Sequence, residues 1–293
     1  MPVSRFAMFA AFLSAACLPG ATHAAHTLRV MTFNVRLPLA SDGAERWQAR
    51  RDLMVTTIRA QHPDIIGTQE LYKTQGDYIV SKLPGYAWFG EGRRGDDGDE
   101  HMGVFYRRDK MQVKQSGNFW LSDTPDTPGS ISWGNPFPRL VTWAQFETRN
   151  GQRFMFYDTH LPYREGDKAA RERCAELILK RVRELPADMP FVLTGDFNTA
   201  PESRVHALLT QTLHDAWMDS PRRSGPAKTF HAFSGKPDRR IDWILLRGLR
   251  VHDARTVTTH RGKLYPSDHF PVVVDLDWPK QTATGMDSAR TGG

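Results

Sequence analysis

The stretch that decides the fold is Pro190-Phe-Val-Leu-Thr-Gly-Asp-Phe-Asn-Thr199. Its apolar run, residues 191–193, has the length and composition of a short buried strand. Gly195 then lets the backbone turn tightly or approach a ligand, and Asp196 and Asn198 follow two residues apart. Because residues at i and i+2 of an extended segment share a side, one carboxylate and one amide are presented together. Such oxygens suit a Mg²⁺ ion shared with a phosphate, although Gly, Asp and Asn are also ordinary turn residues.

Length and composition suit one large α/β domain of a globular protein. The chain has 293 residues, of which 40% are hydrophobic and 25% are charged, which allows a sizeable core. Its formal net charge of +6 favours anionic partners such as nucleic acid, phospholipid head groups or phosphorylated small molecules. The charge does not choose among these partners.

Residues 1–25 have the layout of a secretory signal peptide. Arg5 is their charged residue, an apolar segment covers residues 6–18, and small residues follow. This segment is too short to span a bilayer comfortably, so we expect cleavage near Ala24 or Ala25 and a periplasmic or extracellular location.

The remainder divides into one domain and a tail. Residues 26–278 show no clear linker and no long repeat, so they are predicted to form one domain without a transmembrane segment. Residues 279–293 are small and polar and are predicted to be disordered. After cleavage one cysteine, Cys174, remains, which excludes an internal disulfide, and we expect a monomer.

Polar side chains stand at the ends of several predicted strands. The strand predicted for residues 28–35 alternates, with Leu28, Val30, Thr32 and Asn34 on one face and Met31, Phe33 and Val35 on the other. Because open α/β sheets bind ligands beyond the carboxyl ends of their strands, we expect such side chains to converge. The candidates are Asn34, Glu70, Glu100, His160, Asp196, Asn198, Asp242, Asp268 and His269.

Each candidate alone has an ordinary structural explanation. Asn34 could cap a turn, and Glu70 could cap the helix predicted after it. His160 could be a hydrogen-bonded core histidine, and Asp242 could pair with Arg240. Their repeated position beside apolar strands favours a common site.

Taken in order, the motifs resemble those of the endonuclease/exonuclease/phosphatase superfamily, which includes DNase I-like nucleases, inositol polyphosphate phosphatases and sphingomyelinases. Within this superfamily, the chain looks most like secreted bacterial members of unassigned substrate. The motifs are Met31-Thr-Phe-Asn34, Gly67-Thr-Gln-Glu70, Thr159-His160-Leu161, Gly195-Asp196-Phe197-Asn198, Arg240-Ile241-Asp242-Trp243 and Ser267-Asp268-His269-Phe270-Pro271. The resemblance implies an α/β fold, a four-layer sandwich in which two mixed β-sheets pack face to face with helices outside. It places the active site at one end of the sandwich.

The resemblance also implies roles for the candidates. Asn34 and Glu70 would hold a divalent metal, first of all Mg²⁺, with Mn²⁺ or another divalent cation as the alternative, and Asp268 is a further candidate ligand. His269 would be the general base that activates water, and Asp242 would orient it. A histidine near its ordinary pKa suits that task at neutral pH.

Four further candidates would contact the phosphoryl group or support a residue that does. Asp196 and Asn198 would position the attacking water and bind phosphoryl oxygens. His160 would bind the developing charge or assist the leaving group, and Glu100 would orient that histidine.

Three functions stay open at this point. The first is a secreted metal-dependent phosphohydrolase of small-molecule or lipid phosphate esters, which acts by in-line attack of water. The second is a nonspecific extracytoplasmic nuclease, and the third is a catalytically silent binding protein on the same scaffold. Neither a G-x-S-x-G elbow nor a Walker A loop occurs in the sequence.

Basic and aromatic residues bear on the substrate. A nuclease would track a phosphate backbone with Arg93, Arg94, Arg222, Arg223, Lys228, Arg239 and Arg240, although such residues are more often solvated. A small-molecule enzyme would instead use the loop of residues 122–139 and its surroundings. Its candidate pocket wall is Trp120, Trp133, Phe137 and Arg139, which could equally pack on the core.

Overall fold

Two β-sheets form the frame of the structure, a computed structural model that describes residues 27–279. The strands, numbered along the chain, are β1 (Thr27–Asn34), β2 (Ile65–Leu71), β3 (Tyr86–Phe89), β4 (His101–Arg107), β5 (Met111–Trp120), β6 (Leu140–Thr148), β7 (Arg153–His160), β8 (Phe191–Asp196), β9 (His214–Asp215), β10 (Arg223–Ser224), β11 (Asp242–Arg247), β12 (Arg250–Thr256) and β13 (Val272–Asp277). The seven-stranded sheet has the order β10-β12-β13-β1-β2-β4-β3, and the six-stranded sheet has the order β5-β6-β7-β8-β11-β9. Both sheets mix parallel and antiparallel pairs.

Helices cover the outer faces of both sheets. They are α1 (Trp47–Gln61), α2 (Lys73–Lys82), α3 (Lys168–Arg183) and α4 (Arg204–Leu209), with 3-10 turns at Ala40–Glu45 and Glu165–Asp167. The short helix α5 (Ala216–Asp219) instead contributes Ala216 and Trp217 to the core between the sheets. Cys174 is fully buried in α3. Within residues 27–279, no helix is long and apolar enough to cross a membrane.

Three apolar clusters separate the layers. One lies between the sheets and includes Val30, Phe156 and Val192. A second packs α3 and α4 on the six-stranded sheet, and a third packs α1 and α2 on the seven-stranded sheet. The predicted four-layer sandwich is therefore confirmed.

The two faces predicted for β1 are also confirmed. Leu28 and Val30 join the cluster between the sheets, whereas Met31, Phe33 and Val35 join the cluster under the helices. Asn34 shares a face with Val30 and thus lies at the end of the space between the sheets.

Several predicted boundaries were wrong. The second strand continues past Glu70 to Leu71, because a register shift between Thr68 and Leu71 keeps this segment paired with β4. The apolar run at residues 270–274 predicts a final strand there, whereas the structure has it at Val272–Asp277, and no pattern predicted α5. The predicted signal peptide and nearly all of the predicted tail lie outside the described residues.

Candidate active site

Polar side chains from both sheets meet at one end of the sandwich. His160, Asp196 and Asp242 are direct register partners across β7, β8 and β11, so they form a row on the six-stranded sheet. Asn34 and Glu70 come from β1 and β2 of the other sheet. All candidates from the sequence lie within this region, and the relative position of the two sheets sets the site's geometry.

Asp196 stands at the centre of the site. Its Oδ2 accepts a hydrogen bond from Asn34 Nδ2 at 3.0 Å. The same oxygen lies 3.5 Å from Nε2 of His160 and 3.7 Å from Nε2 of His269. Burial, followed by repulsion from Asp242, raises the pKa of Asp196 to about 7.

Asp242 and His269 form a buried pair. Nδ1 of His269 donates to Oδ2 of Asp242 at 2.9 Å, so the ring is oriented as the resemblance implied. The pKa of His269 rises to about 10, because the attraction and the hydrogen bond of Asp242 outweigh the opposing effect of burial. The expectation of an ordinary pKa was wrong, because it took Asp242 only as an orienting partner and did not count the attraction of its buried carboxylate. Arg240, the alternative partner of Asp242, instead binds Asp215 at 2.6 Å.

His160 has the opposite environment. Asn198 Nδ2 donates to its Nε2 at 2.9 Å, while Nδ1 finds no hydrogen-bond partner among the described residues. Glu100 Oε2 lies 3.9 Å from Nδ1, too far for the orienting bond that the resemblance implied. Burial lowers the pKa of His160 well below its usual range, and the cation Arg139 adds to that effect.

Glu100 instead belongs to a buried group of charges. Its carboxylate lies 2.9 Å from Arg93 Nη1 and 3.9 Å from Arg139 Nη1. Arg139 is buried at the pocket, and its Nε and Nη1 have no hydrogen-bond partner within residues 27–279. The charge of Arg139 at the pocket wall would stabilise an anion there.

The predicted metal ligands lie on the other side of the pocket. Asn34 Nδ2 donates to Glu70 Oε1 at 3.0 Å, and the backbone N–H of Leu37 donates to Oε2 at 3.1 Å. Arg36 Nη1 lies 4.0 Å from Glu70 Oε2 and 3.8 Å from Asp268 Oδ2. The sequence interpretation missed Arg36. Its position two residues after Asn34 could have indicated that it lies at the site.

Three residues of the site have backbone conformations with positive φ angles. Glu70, Asn198 and Arg36 have positive φ angles of 60°, 50° and 55°. Asn tolerates this conformation, whereas Glu and Arg rarely adopt it, and such strain persists where the surroundings require it. The register shift in β2 lies at Glu70 and turns its side chain towards the pocket.

The pocket has a volume of about 490 Å³. Phe137 and Arg139 line it as predicted, but Trp120 and Trp133 do not. Trp120 is buried and donates to the Arg93 carbonyl, and Trp133 packs on the cluster beneath α3. Two aromatic residues of the lining, Tyr163 and Phe230, were missed because each stands alone in an irregular loop.

The donor set fits a divalent cation. Ligand atoms of Asp196, Asp242 and His269 lie within 4.8 Å of one another, and Glu70 and Asp268 line the same pocket. Carboxylate and amide oxygens are suitable ligands for Mg²⁺ or Mn²⁺, and so many carboxylates would repel a phosphate without a balancing cation. This geometry fits the predicted class of metal but does not separate one ion from another.

Comparison with known proteins identifies the class. The Endonuclease/Exonuclease/phosphatase family model matches residues 31–269, so the chain belongs to this family. The protein L388 of Acanthamoeba polyphaga mimivirus is 32% identical over 250 residues, which cover 78% of this chain and 91% of that protein.

Two solved structures are similar over most of the chain. The endonuclease/exonuclease/phosphatase from Bacteroides vulgatus has a TM-score of 0.82 and 32% identity, covering 87% of this chain and 100% of that one. The mannosyl-6-phosphatase Bt3783 of Bacteroides thetaiotaomicron has a TM-score of 0.80 and 32% identity, covering 86% and 100%. Nucleases and phosphatases both cleave phosphate esters, and the chain is therefore a hydrolase acting on phosphate ester bonds.

Proposed function

We propose that the protein is an exported, divalent-metal-dependent phosphohydrolase that acts on the phosphate ester of a small polyhydroxylated molecule, such as a phosphorylated sugar. The observation that carries this proposal is the bounded pocket of about 490 Å³ around His160, Asp196 and His269. This volume suits a small molecule. The similarity to a mannosyl-6-phosphatase over 86% of the chain supports the same substrate class.

Aromatic walls on two sides of the pocket support a compact leaving group. Phe137 and Tyr163 stack with ring centroids 6.4 Å apart, and the Arg93 guanidinium lies 4.7 Å from the Phe137 ring. Phe230 forms another wall, with Arg239 4.2 Å from its ring. Aromatic faces bury apolar C–H surface while neighbouring polar groups fix orientation, which suits a sugar ring.

Different residues of the pocket have different roles in the proposed reaction. Nε2 of His269 takes the proton of the attacking water, while Asp242 holds Nδ1 and fixes the ring orientation. The positive charge of Arg139 would stabilise the phosphoryl oxygens, where charge develops, and Asn198 holds Nε2 of His160 through its side-chain amide. Asn34, Glu70 and Asp268, with Asp196, would hold the cation. Once bound, the cation would polarise the phosphoryl group and favour the neutral form of His269.

The basic residues give less support to a nuclease. Arg93 and Arg94 both pair with Asp99, at 3.0 Å and 2.8 Å. Arg240 is buried against Asp215. Cations held in this way are poorly placed to follow a nucleic-acid backbone, so nuclease activity is the less favoured function.

Export is part of the proposal and rests on residues 1–25 alone. Their short apolar segment and small-residue end have the composition of a signal peptide. Fractionation of cells that express the full chain would place it in the periplasm or medium, and retention in the cytoplasm would contradict this element.

Parallel hydrolysis assays test the proposed activity. The purified chain would be given mannose 6-phosphate, p-nitrophenyl phosphate, bis-p-nitrophenyl phosphate and plasmid DNA, each with Mg²⁺, Mn²⁺ or EDTA. We expect release of phosphate from the sugar ester, lost in EDTA, with the plasmid intact. Plasmid cleavage that falls steeply with salt, without turnover of the small esters, would establish the nuclease instead.

A further inference from the structure

A buried polar layer lies between the two sheets, directly beneath the site. Its members stand one or two residues before site residues on the same strands: Thr32, Gln69, Asp158 and Thr194. All four are fully buried. The chemistry of the pocket does not use any of them, yet they occupy the space between the apolar centre of the sandwich and the site.

Hydrogen bonds in this layer join the two sheets. Gln69 of β2 donates from Nε2 to Asp158 Oδ1 of β7 at 2.7 Å and to Thr32 Oγ1 at 3.2 Å. Thr194 of β8 donates from Oγ1 to the same Asp158 oxygen at 2.7 Å. The Gln69–Asp158 contact therefore links the strand that carries Glu70 to the strand that carries His160.

Two buried acceptors in this layer lack partners within residues 27–279. They are Oε1 of Gln69 and Oδ2 of Asp158, which belong to side chains already joined through Nε2 and Oδ1. One proton on Asp158 Oδ2 makes that atom a donor to Gln69 Oε1. A carboxylic acid and an amide then form a closed pair, and both unpartnered atoms are satisfied at once.

The surroundings favour the neutral acid. Burial raises the pKa of Asp158 well above its usual range, and this effect outweighs the hydrogen bonds from Thr194, Gln69 and backbone N–H groups that oppose it. None of those partners carries a positive charge. An ionised carboxylate here would be desolvated without a cation to balance it.

Gly67 makes room for the layer on the β2 side. A Cβ atom there would lie 2.0 Å from Thr194 Oγ1 and 2.3 Å from Asp158 Oδ1. The backbone of β2 therefore approaches the layer more closely than a residue with a side chain would allow.

We propose that Asp158, as a neutral carboxylic acid paired with Gln69, is a positioning residue that fixes one sheet against the other at the active site. The site needs such a device, because Asn34 and Glu70 come from one sheet and His160 and Asp196 from the other. A displacement of about 1 Å between reacting groups can lower a rate about 100-fold.

Two substitutions distinguish a neutral carboxylic acid at Asp158 from an ionised carboxylate. Asp158→Asn keeps the Oδ1 acceptor and puts an N–H donor in place of the O–H, so it retains the wild-type kcat. Asp158→Leu removes both contacts between Asp158 and Gln69 and lowers kcat by about 100-fold, with a smaller change in KM. If Asp158→Asn loses as much activity as Asp158→Leu, the charged carboxylate is required and the proposal is wrong.

A matched control removes a buried hydrogen bond elsewhere. Thr57 is fully buried in α1, and its hydroxyl donates to the Leu53 carbonyl at 2.8 Å. Thr57→Val is expected to lower the melting temperature while kcat stays unchanged. An equal loss of kcat in Thr57→Val and Asp158→Leu would show a general stability effect and overturn the positioning role.

The protonation state has a direct readout that needs no turnover. The kinetic comparison rests on the proposed function, whereas the side-chain carboxyl ¹³C resonance of Asp158, assigned by its absence in Asp158→Asn, does not. We expect this resonance to remain at the protonated position at neutral pH in the folded protein. Titration with a midpoint near the ordinary Asp value of about 4 would overturn the proposal even if the enzyme were inactive on every ester tested.

Discussion

Two sides of one pocket hold a histidine in opposite ways. On one side Asp242 contacts His269 at 2.9 Å, and the pKa of this histidine is raised to about 10. On the other side the nearest carboxylate to Nδ1 of His160, that of Glu100, stays 3.9 Å away, and burial lowers the pKa of His160. Both rings are almost fully buried, so burial alone does not explain the difference.

The difference between the two pKa values follows from the cations that pair with the carboxylates of Asp242 and Glu100. Within residues 27–279, the ion pair that the structure records for Asp242 is the one with His269. Glu100 is already paired with Arg93, and Arg139 further opposes a positive charge on His160. His269 is thus held in its charged form, whereas His160 stays neutral.

The largest effect is expected from removing His269, the proposed general base. His269→Ala should lower kcat by about 10²–10⁴-fold, because it deletes the group that accepts the proton of water. Steady-state kinetics on a phosphomonoester would measure the loss.

A second His–Asp pair provides the control for that variant. His206 lies 2.7 Å from Asp215 in a similar pair outside the pocket. His206→Ala should destabilise the fold and leave kcat intact. Comparable losses of kcat in the two variants would remove the distinction between the catalytic pair and a structural one.

Cation binding should depend on pH through Asp196. Its pKa of about 7 means that a proton must leave before the carboxylate can serve the cation. The affinity for Mg²⁺ should therefore increase with pH by up to about tenfold per pH unit below pH 7, as Asp196 loses its proton. Calorimetric titrations at several pH values would measure this, and an affinity independent of pH would contradict it.

The charged pair should also make stability depend on pH. His269 has a folded pKa of about 10, above its reference value of 6.5, so its stabilising effect is complete below pH 6.5 and is lost as the pH rises towards 10. The difference in free energy of unfolding between the wild type and His269→Gln should shrink by up to about 1.4 kcal/mol per pH unit in this window. Urea unfolding in EDTA would show it, and a difference that grew with pH would have the wrong sign.

The smallest effect is expected at Glu100, which makes no hydrogen bond to His160. Glu100→Gln should leave the pKa of His160 low, because burial is its main cause. The same change should disturb Arg93, whose contact with Glu100 is 2.9 Å. NMR titration of the ring would measure the pKa, and a large shift would show that Glu100 orients His160 after all.

The sequence predicted several strands and the polar side chains at their ends because both depend on local pattern, whereas the four-layer sandwich was implied by the resemblance of the motifs to a known family. The alternation in β1 places Asn34 at the inner end of the strand, and apolar runs ending in polar residues mark β7 and β8. The bulge at Glu70 was not predictable, since the extra residue shows itself only in pairing with β4. The charge states of His160 and His269 depend on carboxylates and cations brought together from distant strands, and no local pattern records them.

¹⁵N NMR of the imidazole rings in the metal-free protein would show whether one pocket holds two histidines in opposite charge states. Assignments would come from His160→Gln and His269→Gln. The account predicts that His269 stays protonated above neutral pH and titrates near 10, while His160 stays neutral to well below 6.5. Titration of both rings together near 6.5 would contradict it.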